Sequence, residues 1–324
     1  MRILVKGAGV AGLAAAHELA VRGAEVTVVD PRPDFSNAAS WFAGGMLAPW
    51  CERESADEAV LQYGGGAADW WAVALPGEVH RKGTLVVAPP RDVSELKRFA
   101  ARTSGHEWLG EEEIAALEPA LAGRFRLALF FPREAHLDPR RVLKALRDKL
   151  TAAGVRLVEE AQSEGAFDRI LDCTGAARIA DLGGLRGVRG EMLYLRSAEI
   201  ELVRPVRLLH PRIPVYIVPR GDGLFMVGAT MIEADNDGPI TARSLMELLN
   251  AAYTLHPAFA EATVAETGTG VRPAFADNFP RVVTAGRTIA INGLYRHGFL
   301  LAPAMAREAA EAVFAEQPKE RNFP

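Results

Sequence analysis

The sequence predicts an α/β fold with two β-sheets, the first of which is interrupted by an inserted segment. Three observations predict it. A strand–helix–strand pattern occupies the first 30 residues, and a second helix–strand pattern follows at residues 138–158. Four short strands then follow one another between residues 191 and 228, with a hairpin turn joining the last two. Alternating strands and helices are typical of a parallel sheet, whereas consecutive short strands indicate a separate sheet.

The opening strand–helix–strand unit is built around a glycine-rich turn. Residues 3–5 are a short apolar run of the kind found in buried strands, and residues 13–22 carry apolar residues at helical spacing. Gly23 suits the end of that helix, where a left-handed backbone costs a glycine no Cβ clash. Residues 25–29 form the second strand, which ends in Asp30. The sequence GAGVAG lies between the first strand and the helix, at residues 7–12.

Each residue type in this turn has a physical role. Gly7 permits the tight turn out of the strand, Gly9 lets the backbone approach a pyrophosphate, and Gly12 lets helix and strand pack closely. The helix N-terminus, with Val10 and Ala11, offers free N–H groups and a positive dipole end to phosphates. A carboxylate about 20 residues further on can accept hydrogen bonds from ribose hydroxyls, and its charge would repel a 2′-phosphate. The unit therefore predicts an adenine dinucleotide, FAD or NAD, and disfavours NADP.

Composition bounds the remaining possibilities. A chain of 324 residues can bury a sizeable core and form one or two domains. Its net charge of −4 does not indicate the basic surface that nucleic-acid-binding proteins carry, so we expect no nucleic-acid partner. Cys51 and Cys173 are the only cysteines, far apart and without metal-ligand spacing, which indicates a reducing compartment and no metal site. The N-terminal apolar run is interpreted as a fold element, and no stretch is long enough to span a membrane. A cytoplasmic protein is expected.

After Asp30 the chain is predicted to form an inserted segment before it returns to the first sheet. A loop at residues 31–37 leads into the small-residue stretch ASWFAGGML, which indicates backbone packed closely against a flat partner. The acidic residues that follow are interpreted as a solvated helix face, and Trp70 and Trp71 as core. Further predicted elements are a strand pair at 79–88 turning near Gly83, helices at 92–101 and 111–117, and a strand at 124–131.

The second half begins with a clear helix start, because Asp138 is a good N-cap and Pro139 suits the first helical position. That helix is predicted to end near residue 153. Strands at 155–158 and 167–173 return to the first sheet. The second sheet takes strands at 191–196, 206–210, 215–218 and 224–228. A helix at 241–255, strands at 264–271 and 288–292, and a final helix at 303–316 that starts with Pro303 complete the prediction.

Several motifs now carry a resemblance to a known family. They are the opening GAGVAGL, the stretch ASWFAGGML, and the later segments VYIVPR, VGATM, GVRP and GLYRHGFLLAP. In this order they resemble the D-amino acid oxidase family of FAD enzymes, and within it the glycine oxidases of thiamine biosynthesis. The resemblance implies a Rossmann-type FAD-binding domain interleaved with a substrate domain built on a mixed sheet. It places residues 1–76, 137–186 and 270–324 in the first domain, and residues 77–136 and 187–269 in the second.

The resemblance also implies roles for individual residues. Arg272 would clamp the substrate carboxylate, since a guanidinium matches a carboxylate bidentately, and Tyr216 would donate to the same carboxylate. Arg296 would line the same pocket or pair with carbonyls, while Met46 and Met231 would lie near flavin and substrate. FAD would contact Gly7, Gly9, Val10, Ala11, Gly12, Asp30, Ser40, Gly45, Met46, Thr174, Gly175, Arg296, His297, Gly298, Phe299 and Leu300.

A helix N-terminus beside residues 295–301 suits this assignment, because its N–H groups can face the flavin pyrimidine, where negative charge accumulates on reduction. Two departures from the family stand out. The link between Val158 and Phe167 is short where relatives carry a β-meander, which alters the cover over the adenine half. No cysteine lies near Arg272 or His297 to tether the flavin, so FAD is expected to be noncovalent. His297 is interpreted as structural.

The resulting hypothesis is an FAD-dependent oxidase of glycine or another small amino acid or amine. Hydride transfer to flavin N5 would give an imine, which is used for thiazole synthesis, and molecular oxygen would be reduced to hydrogen peroxide. One alternative is a D-amino acid or secondary-amine dehydrogenase with an electron acceptor other than oxygen. An alternative of another class is a flavin-binding protein without turnover. The sequence leaves the oligomeric state open, including a homo-oligomer.

Overall fold

The computed structural model describes residues 1–32, 35, 38–160, 163–209 and 214–315. The predictions for the loop at 31–37, for residue 210 and for residue 316 fall partly or wholly outside these residues. The strands are β1 (Arg2–Lys6), β2 (Glu25–Val29), β3 (Met46–Leu47), β4 (Thr84–Val87), β5 (Glu107–Gly110), β6 (Leu127–Phe131), β7 (Ala135–His136), β8 (Arg156–Val158), β9 (Arg169–Asp172), β10 (Arg186–Arg196), β11 (Val206–Leu208), β12 (Val215–Pro219), β13 (Leu224–Gly228), β14 (Ile232–Glu233), β15 (Thr263–Ala274), β16 (Arg281–Ala285) and β17 (Thr288–Asn292). The α-helices are α1 (Val10–Val21), α2 (Pro49–Glu52), α3 (Glu58–Gly64), α4 (Ala67–Ala74), α5 (Val93–Arg102), α6 (Glu111–Leu117), α7 (Pro139–Ala152), α8 (Ala242–Leu255) and α9 (Gly298–Phe314).

The first sheet has the strand order β16-β17-β9-β1-β2-β8. The strands from β17 to β8 are parallel, and β16 joins the edge antiparallel to β17. Buried apolar residues of α1, α7 and α9, including Leu19, Leu146 and Met305, pack together in its core. The predicted opening unit and the two returning strands are confirmed, and their ends differ from the prediction by a few residues.

The second sheet has the order β14-β10-β13-β12-β11-β4-β6-β5, and β15 also pairs with β10. It is mixed, because β11 and β4 are parallel while its other paired strands are antiparallel. Its strands come from two separate stretches, residues 84–131 and 186–274. The interleaved α/β architecture is therefore confirmed. The division into two domains stays a prediction, and its boundary at residue 270 falls inside β15.

The predicted strand pair at residues 79–88 is wrong. Only β4 is a strand there, and His80 forms an isolated bridge with His136 instead. Gly83 turns the chain with a φ of +73°, as predicted. Both edges of β4 are already occupied, by β6 and β11, so the preceding residues cannot form a hairpin with it.

The prediction that Pro303 opens the final helix is also wrong, because α9 begins at Gly298 and Pro303 lies inside it. A proline inside a helix leaves the carbonyl four residues earlier without its backbone donor. Here that carbonyl belongs to Phe299, and the indole Nε1 of Trp71 donates to it at 2.8 Å. Trp71 is completely buried, as expected for a core tryptophan, so a side chain from α4 replaces the missing helical hydrogen bond.

Candidate active site

A cavity of about 520 Å³ is lined by residues of both sheets. The first sheet contributes the chain ends that follow β1, β2 and β9, including Gly7, Asp30 and Thr174. The second sheet contributes β10, β12, β13 and β15, including Tyr216 and Arg272. The volume of the cavity lies within the range of about 300–1,000 Å³ that is typical of small-molecule sites. The carboxyl ends of parallel strands are where α/β folds usually bind ligands.

The glycines of the opening turn differ in what surrounds them. Gly7 has a φ of +93°, and a Cβ there would lie 2.6 Å from the carbonyl oxygen of Cys173. A Cβ on Gly12 would lie 1.8 Å from the carbonyl oxygen of Gly7. Among the described residues, a Cβ on Gly9 would meet only the Ser40 hydroxyl, at 3.5 Å, and Gly9 lines the cavity. Gly7 and Gly12 are thus required by packing, whereas Gly9 keeps space open for a ligand.

Polar groups beside the turn hold the backbone in place. One carboxylate oxygen of Asp30 accepts from the Ala8 N–H at 2.7 Å, and the Ser40 hydroxyl accepts from the Val10 N–H at 3.3 Å. Asp172 accepts from both the backbone N–H and the hydroxyl of Thr174. Asp30 therefore braces the glycine turn and also lines the cavity, where the predicted ribose would lie.

Two helix N-termini meet at the cavity. α1 begins at Val10 and α9 at Gly298, and neither has a side-chain cap. A Cβ built on Gly298 would lie 3.4 Å from Cγ1 of Val10, so the two ends are in contact. Apart from the Val10 N–H, which is bonded to the Ser40 hydroxyl, the N-terminal N–H groups and the positive dipole ends favour negative charge in this position.

The small-residue stretch covers one wall of the cavity. Its helical turn at Ala39–Phe42 lies against β15, where a Cβ on Gly268 would come within 2.4 Å of the Phe42 ring. A Cβ on Gly270 would lie 3.3 Å from Ala39 Cα. Gly45 follows with a φ of +72°, in close contact with the Leu137 carbonyl. The predicted close packing of this stretch is confirmed, and its partner is the β15 backbone.

Arg272 lies on β15 with its guanidinium over Gly190 of the paired strand. A Cβ on Gly190 would lie 2.1 Å from Nη2 of Arg272, so Gly190 leaves room for the guanidinium in this position. Nη1 of Arg272 donates to the Thr230 carbonyl at 3.1 Å. Among the residues described, no carboxylate lies within ion-pair distance of Arg272. Burial lowers the pKa of Arg272 to about 10, and the group stays charged at neutral pH.

Glu52 forms the centre of a buried polar cluster beside Arg272. Its Oε2 lies 2.6 Å from Nη2 of Arg296 and 3.4 Å from Nδ1 of His297. Its Oε1 accepts from the Tyr216 hydroxyl at 3.0 Å, and that hydroxyl accepts in turn from Arg207 at 2.9 Å. The interpretation of this acid as part of a solvated helix face is wrong, because Glu52 is 6% exposed and lines the cavity.

The charges in this cluster are fixed by its neighbours. Burial alone would raise the pKa of Glu52, but Arg296, His297 and Arg207 hold it down to about 2. Burial lowers the pKa of His297 to about 4, so His297 is neutral at pH 7. Burial, opposed only in part by Arg207, raises the pKa of Tyr216 well above its usual value. The cluster holds an anionic carboxylate between cationic arginines and a neutral histidine.

Comparison with known proteins identifies the family. Residues 2–312 match the sequence profile of the family described as DAO: FAD dependent oxidoreductase. The chain belongs to this family. It is 65% identical over 319 residues to a Rhizobium etli protein named "Putative thiamine biosynthesis oxidoreductase ThiO", covering 98% of each chain. It is 26% identical over 359 residues to the glycine oxidase of Pseudomonas aeruginosa, covering 98% of this chain and 96% of that one.

Solved structures agree with this assignment. The iminodiacetate oxidase of Chelativorans superposes with a TM-score of 0.79 at 26% identity, covering 100% of this chain and 99% of that chain. The chain is thus an FAD-dependent oxidoreductase of the D-amino acid oxidase type. Within the described ranges, no helix is long and apolar enough to cross a membrane. No group of three or more His, Cys, Asp or Glu side chains in those ranges could hold a metal ion.

The residues that line the cavity are suited to holding FAD. Gly9 leaves open space at the turn where the sequence predicts a pyrophosphate, and two helix N-termini whose N-cap residues make no side-chain hydrogen bond face the same cavity. The predicted site residues that line it are Gly7, Gly9, Val10, Ala11, Asp30, Ser40, Gly45, Met46, Thr174, Gly175, Tyr216, Met231, Arg272, Arg296, Gly298 and Phe299. Gly12, His297 and Leu300 lie outside this lining, in packing positions.

The residues around Arg272 that the sequence analysis missed include Glu52, Arg207 and Gly190. Glu52 and Arg207 line the cavity, and Gly190 makes room for Arg272. Only Glu52 carried a local signal, since it closely follows the small-residue stretch that forms the wall. The others depend on strand pairing between distant segments, which no local pattern reports.

Glu134 lies behind α2 and gives the fold a testable pH dependence. It is fully buried, accepts from the Cys51 N–H at 2.7 Å, and burial raises its pKa to about 7. The unfolded chain releases this proton near its ordinary pKa, whereas the folded chain keeps it until about pH 7. Its contribution to stability is therefore present at low pH and lost as pH rises through that window.

We expect Glu134→Gln to remove this loss. The free energy of unfolding of the variant should rise relative to the parent by about 2–3 kcal/mol between pH 5 and pH 8. Urea unfolding at saturating FAD across this range measures it. If the free energy of unfolding changed with pH equally in the parent and in Glu134→Gln, Glu134 would not titrate in the folded state. Glu112→Gln, which changes an exposed carboxyl on α6, serves as the control.

Proposed function

We propose that this enzyme oxidises glycine or a similarly small amino acid or amine to its imine, with molecular oxygen as electron acceptor and hydrogen peroxide as product. The observation that carries the proposal is Arg272. Its guanidinium lines the cavity, and no described carboxylate pairs with it. A half-buried cation left unpaired in a ligand cavity suits an anionic group of the substrate, and a guanidinium suits a carboxylate best.

The remaining residues of the pocket position this substrate. Met46 and Met231 line the cavity and restrict the size of the substrate side chain. Tyr216 is the second proposed donor to the substrate carboxylate. Its single O–H proton is directed at Glu52, so substrate and Glu52 would compete for it. Arg296 is held by Glu52 and borders the same space.

No described residue beside Arg272 suits the role of a general base. Glu52 is ionised but has a pKa of about 2, too low to accept a proton from an ammonium group at neutral pH. The substrate amine is therefore proposed to bind in its neutral form. When bound, FAD supplies the redox chemistry, accepting a hydride at N5 and passing electrons to oxygen. α9 begins at Gly298 in the cavity lining, and its positive dipole end would favour the negative charge of the reduced flavin.

The names of the relatives support the substrate class. They describe a thiamine biosynthesis oxidoreductase, a glycine oxidase and an iminodiacetate oxidase. We therefore place the imine product in thiazole formation for thiamine. FAD is proposed to bind noncovalently, since both cysteine thiols are buried and burial raises the pKa of each. Acid precipitation should release intact FAD into the supernatant.

Steady-state assays test the proposal. Purified holoenzyme is supplied with glycine, sarcosine, D-alanine, L-alanine and methylamine, and oxygen uptake and peroxide are measured. We expect turnover of one or more of the amino acids, with one peroxide per oxygen consumed, and little turnover of methylamine. Substrate oxidation that proceeds only with an artificial electron acceptor would indicate a dehydrogenase. No oxidation with either acceptor would indicate a flavin-binding protein without turnover.

A further inference from the structure

The charges around the substrate end of the cavity are unequal. Among the described residues, Arg207, Arg272 and Arg296 line this end of the cavity. Arg296 pairs with Glu52 at 2.6 Å, and Arg207 pairs with Glu54 at 3.4 Å. Arg272 is left without an acidic partner among the described residues. Glu54 is shared with Arg102, at 3.3 Å, which lies outside the cavity lining. Of the three cavity arginines at this end, Arg272 is thus the one that no described carboxylate pairs with, which matches a substrate that carries one carboxylate.

Arg296 would be a second carboxylate site if Glu52 did not occupy it. Nη1 of Arg296 lies 3.5 Å from the Met231 sulfur, and Nη1 of Arg272 donates to the carbonyl of the preceding residue, Thr230. The two guanidinium groups thus border neighbouring residues of one segment. A small dicarboxylate could reach both only by displacing Glu52, whose own charge would repel it.

We propose that Glu52 is a specificity-determining residue that restricts the enzyme to substrates with one carboxylate, by neutralising Arg296. The inference rests on the proposed function and names the substrate class more narrowly. Glu52 acts here as a fixed anion and not as an acid or base. Removing its charge while keeping its shape should release Arg296 to bind a second carboxylate.

Sarcosine and iminodiacetate provide a matched pair of probes, because both are secondary amines of glycine and differ by one carboxylate. In the Glu52→Gln holoenzyme, Gln can still accept from Tyr216. We expect the ratio of kcat/KM for iminodiacetate to that for sarcosine to rise by roughly 10- to 100-fold, the effect of one charge-assisted hydrogen bond. Glu58→Gln is the matched control, since it makes the same charge change at a carboxylate that pairs with Arg53, and both of these residues lie outside the cavity lining. It should leave the ratio within about threefold.

Two further variants separate charge from general disruption. Glu52→Gln combined with Arg296→Met should lose the gain, because no second cation remains. Arg296→Met alone leaves Glu52 unneutralised and should lower the ratio by about tenfold. This variant also tests the proposal if Glu52→Gln does not retain FAD. An unchanged ratio in an active Glu52→Gln enzyme, or a gain that persists in the double variant, would overturn the proposal.

Binding provides a readout without turnover. Acetate and malonate carry one and two carboxylates and have no amine to oxidise, and their Kd values follow from perturbation of the flavin absorbance spectrum. The ratio of the acetate Kd to the malonate Kd should be higher in Glu52→Gln than in the unmodified enzyme, by a factor similar to the expected change in the kcat/KM ratio. Equal acetate-to-malonate Kd ratios in the two proteins contradict the role of Glu52. If the unmodified enzyme oxidises no amino acid, the proposed function fails, and this binding comparison still decides the role of Glu52.

Discussion

Replacing Arg272 with alanine is expected to lower kcat/KM for amino acids by roughly 30- to 4,000-fold while FAD stays bound. A substrate carboxylate in this cavity loses much of its water, and only a paired cation makes that tolerable. Removing one partner of such a pair typically costs about 2–5 kcal/mol, and each 1.4 kcal/mol is about tenfold. Arg272 lines the cavity, and no carboxylate of the described residues pairs with it, so the full loss should fall on substrate binding. Steady-state kinetics with glycine measure it.

Two comparisons sharpen this prediction. Arg272→Lys should recover only part of the activity, since an ammonium cannot form the planar two-point contact of a guanidinium. Primary amines without a carboxylate serve as control substrates and should be affected much less. If amino acids and plain amines lost activity equally while flavin content was unchanged, Arg272 would not recognise the carboxylate.

Replacing Gly9 with valine is expected to weaken FAD binding by roughly 100-fold or more. A Cβ on Gly9 meets only the Ser40 hydroxyl at 3.5 Å, so the protein itself has room for the side chain. The valine would instead occupy cavity space that the pyrophosphate needs, and each charge-assisted hydrogen bond lost there is worth about 1.5–3 kcal/mol. Titration of apoprotein with FAD, followed by flavin fluorescence, gives the Kd.

Gly12→Ala provides the contrasting control. A Cβ there would lie 1.8 Å from the Gly7 carbonyl oxygen, so this variant should lower the stability of the apoprotein itself. Gly9→Val apoprotein should unfold at a urea concentration close to that of the parent. Full flavin content in Gly9→Val would show that the opening turn does not hold the pyrophosphate.

Local signals in the sequence predicted much of the fold. The glycine turn and the strands around it follow from close packing and buried apolar runs, and both are present. The Asp138 N-cap is also confirmed, since its carboxylate accepts from the Arg140 N–H at 2.9 Å. Apart from the contact of Gly7 with the distant Cys173 carbonyl, the deciding interactions lie within a few residues of one another or within one βαβ unit.

Long-range contacts decided the cases where prediction was wrong. Pro303 looked like a helix start because proline suits that position, but Trp71, more than 200 residues earlier, supplies the hydrogen bond that lets the helix run through it. Glu52 looked like a solvated acid because its neighbours in sequence are acidic. Its actual neighbours are Tyr216, Arg296 and His297, which only the tertiary fold brings together.

Anaerobic mixing of the holoenzyme with glycine tests the central claim most directly, because it isolates transfer from substrate to flavin from any later electron acceptor. We predict that the oxidised flavin band at about 450 nm bleaches in the unmodified enzyme on adding glycine or another small amino acid, and returns when air is admitted. Arg272→Ala, with FAD bound, should bleach far more slowly at the same amino acid concentration. A flavin band that no amino acid bleaches, or that bleaches equally fast in both proteins, would contradict an amino acid oxidase organised around Arg272.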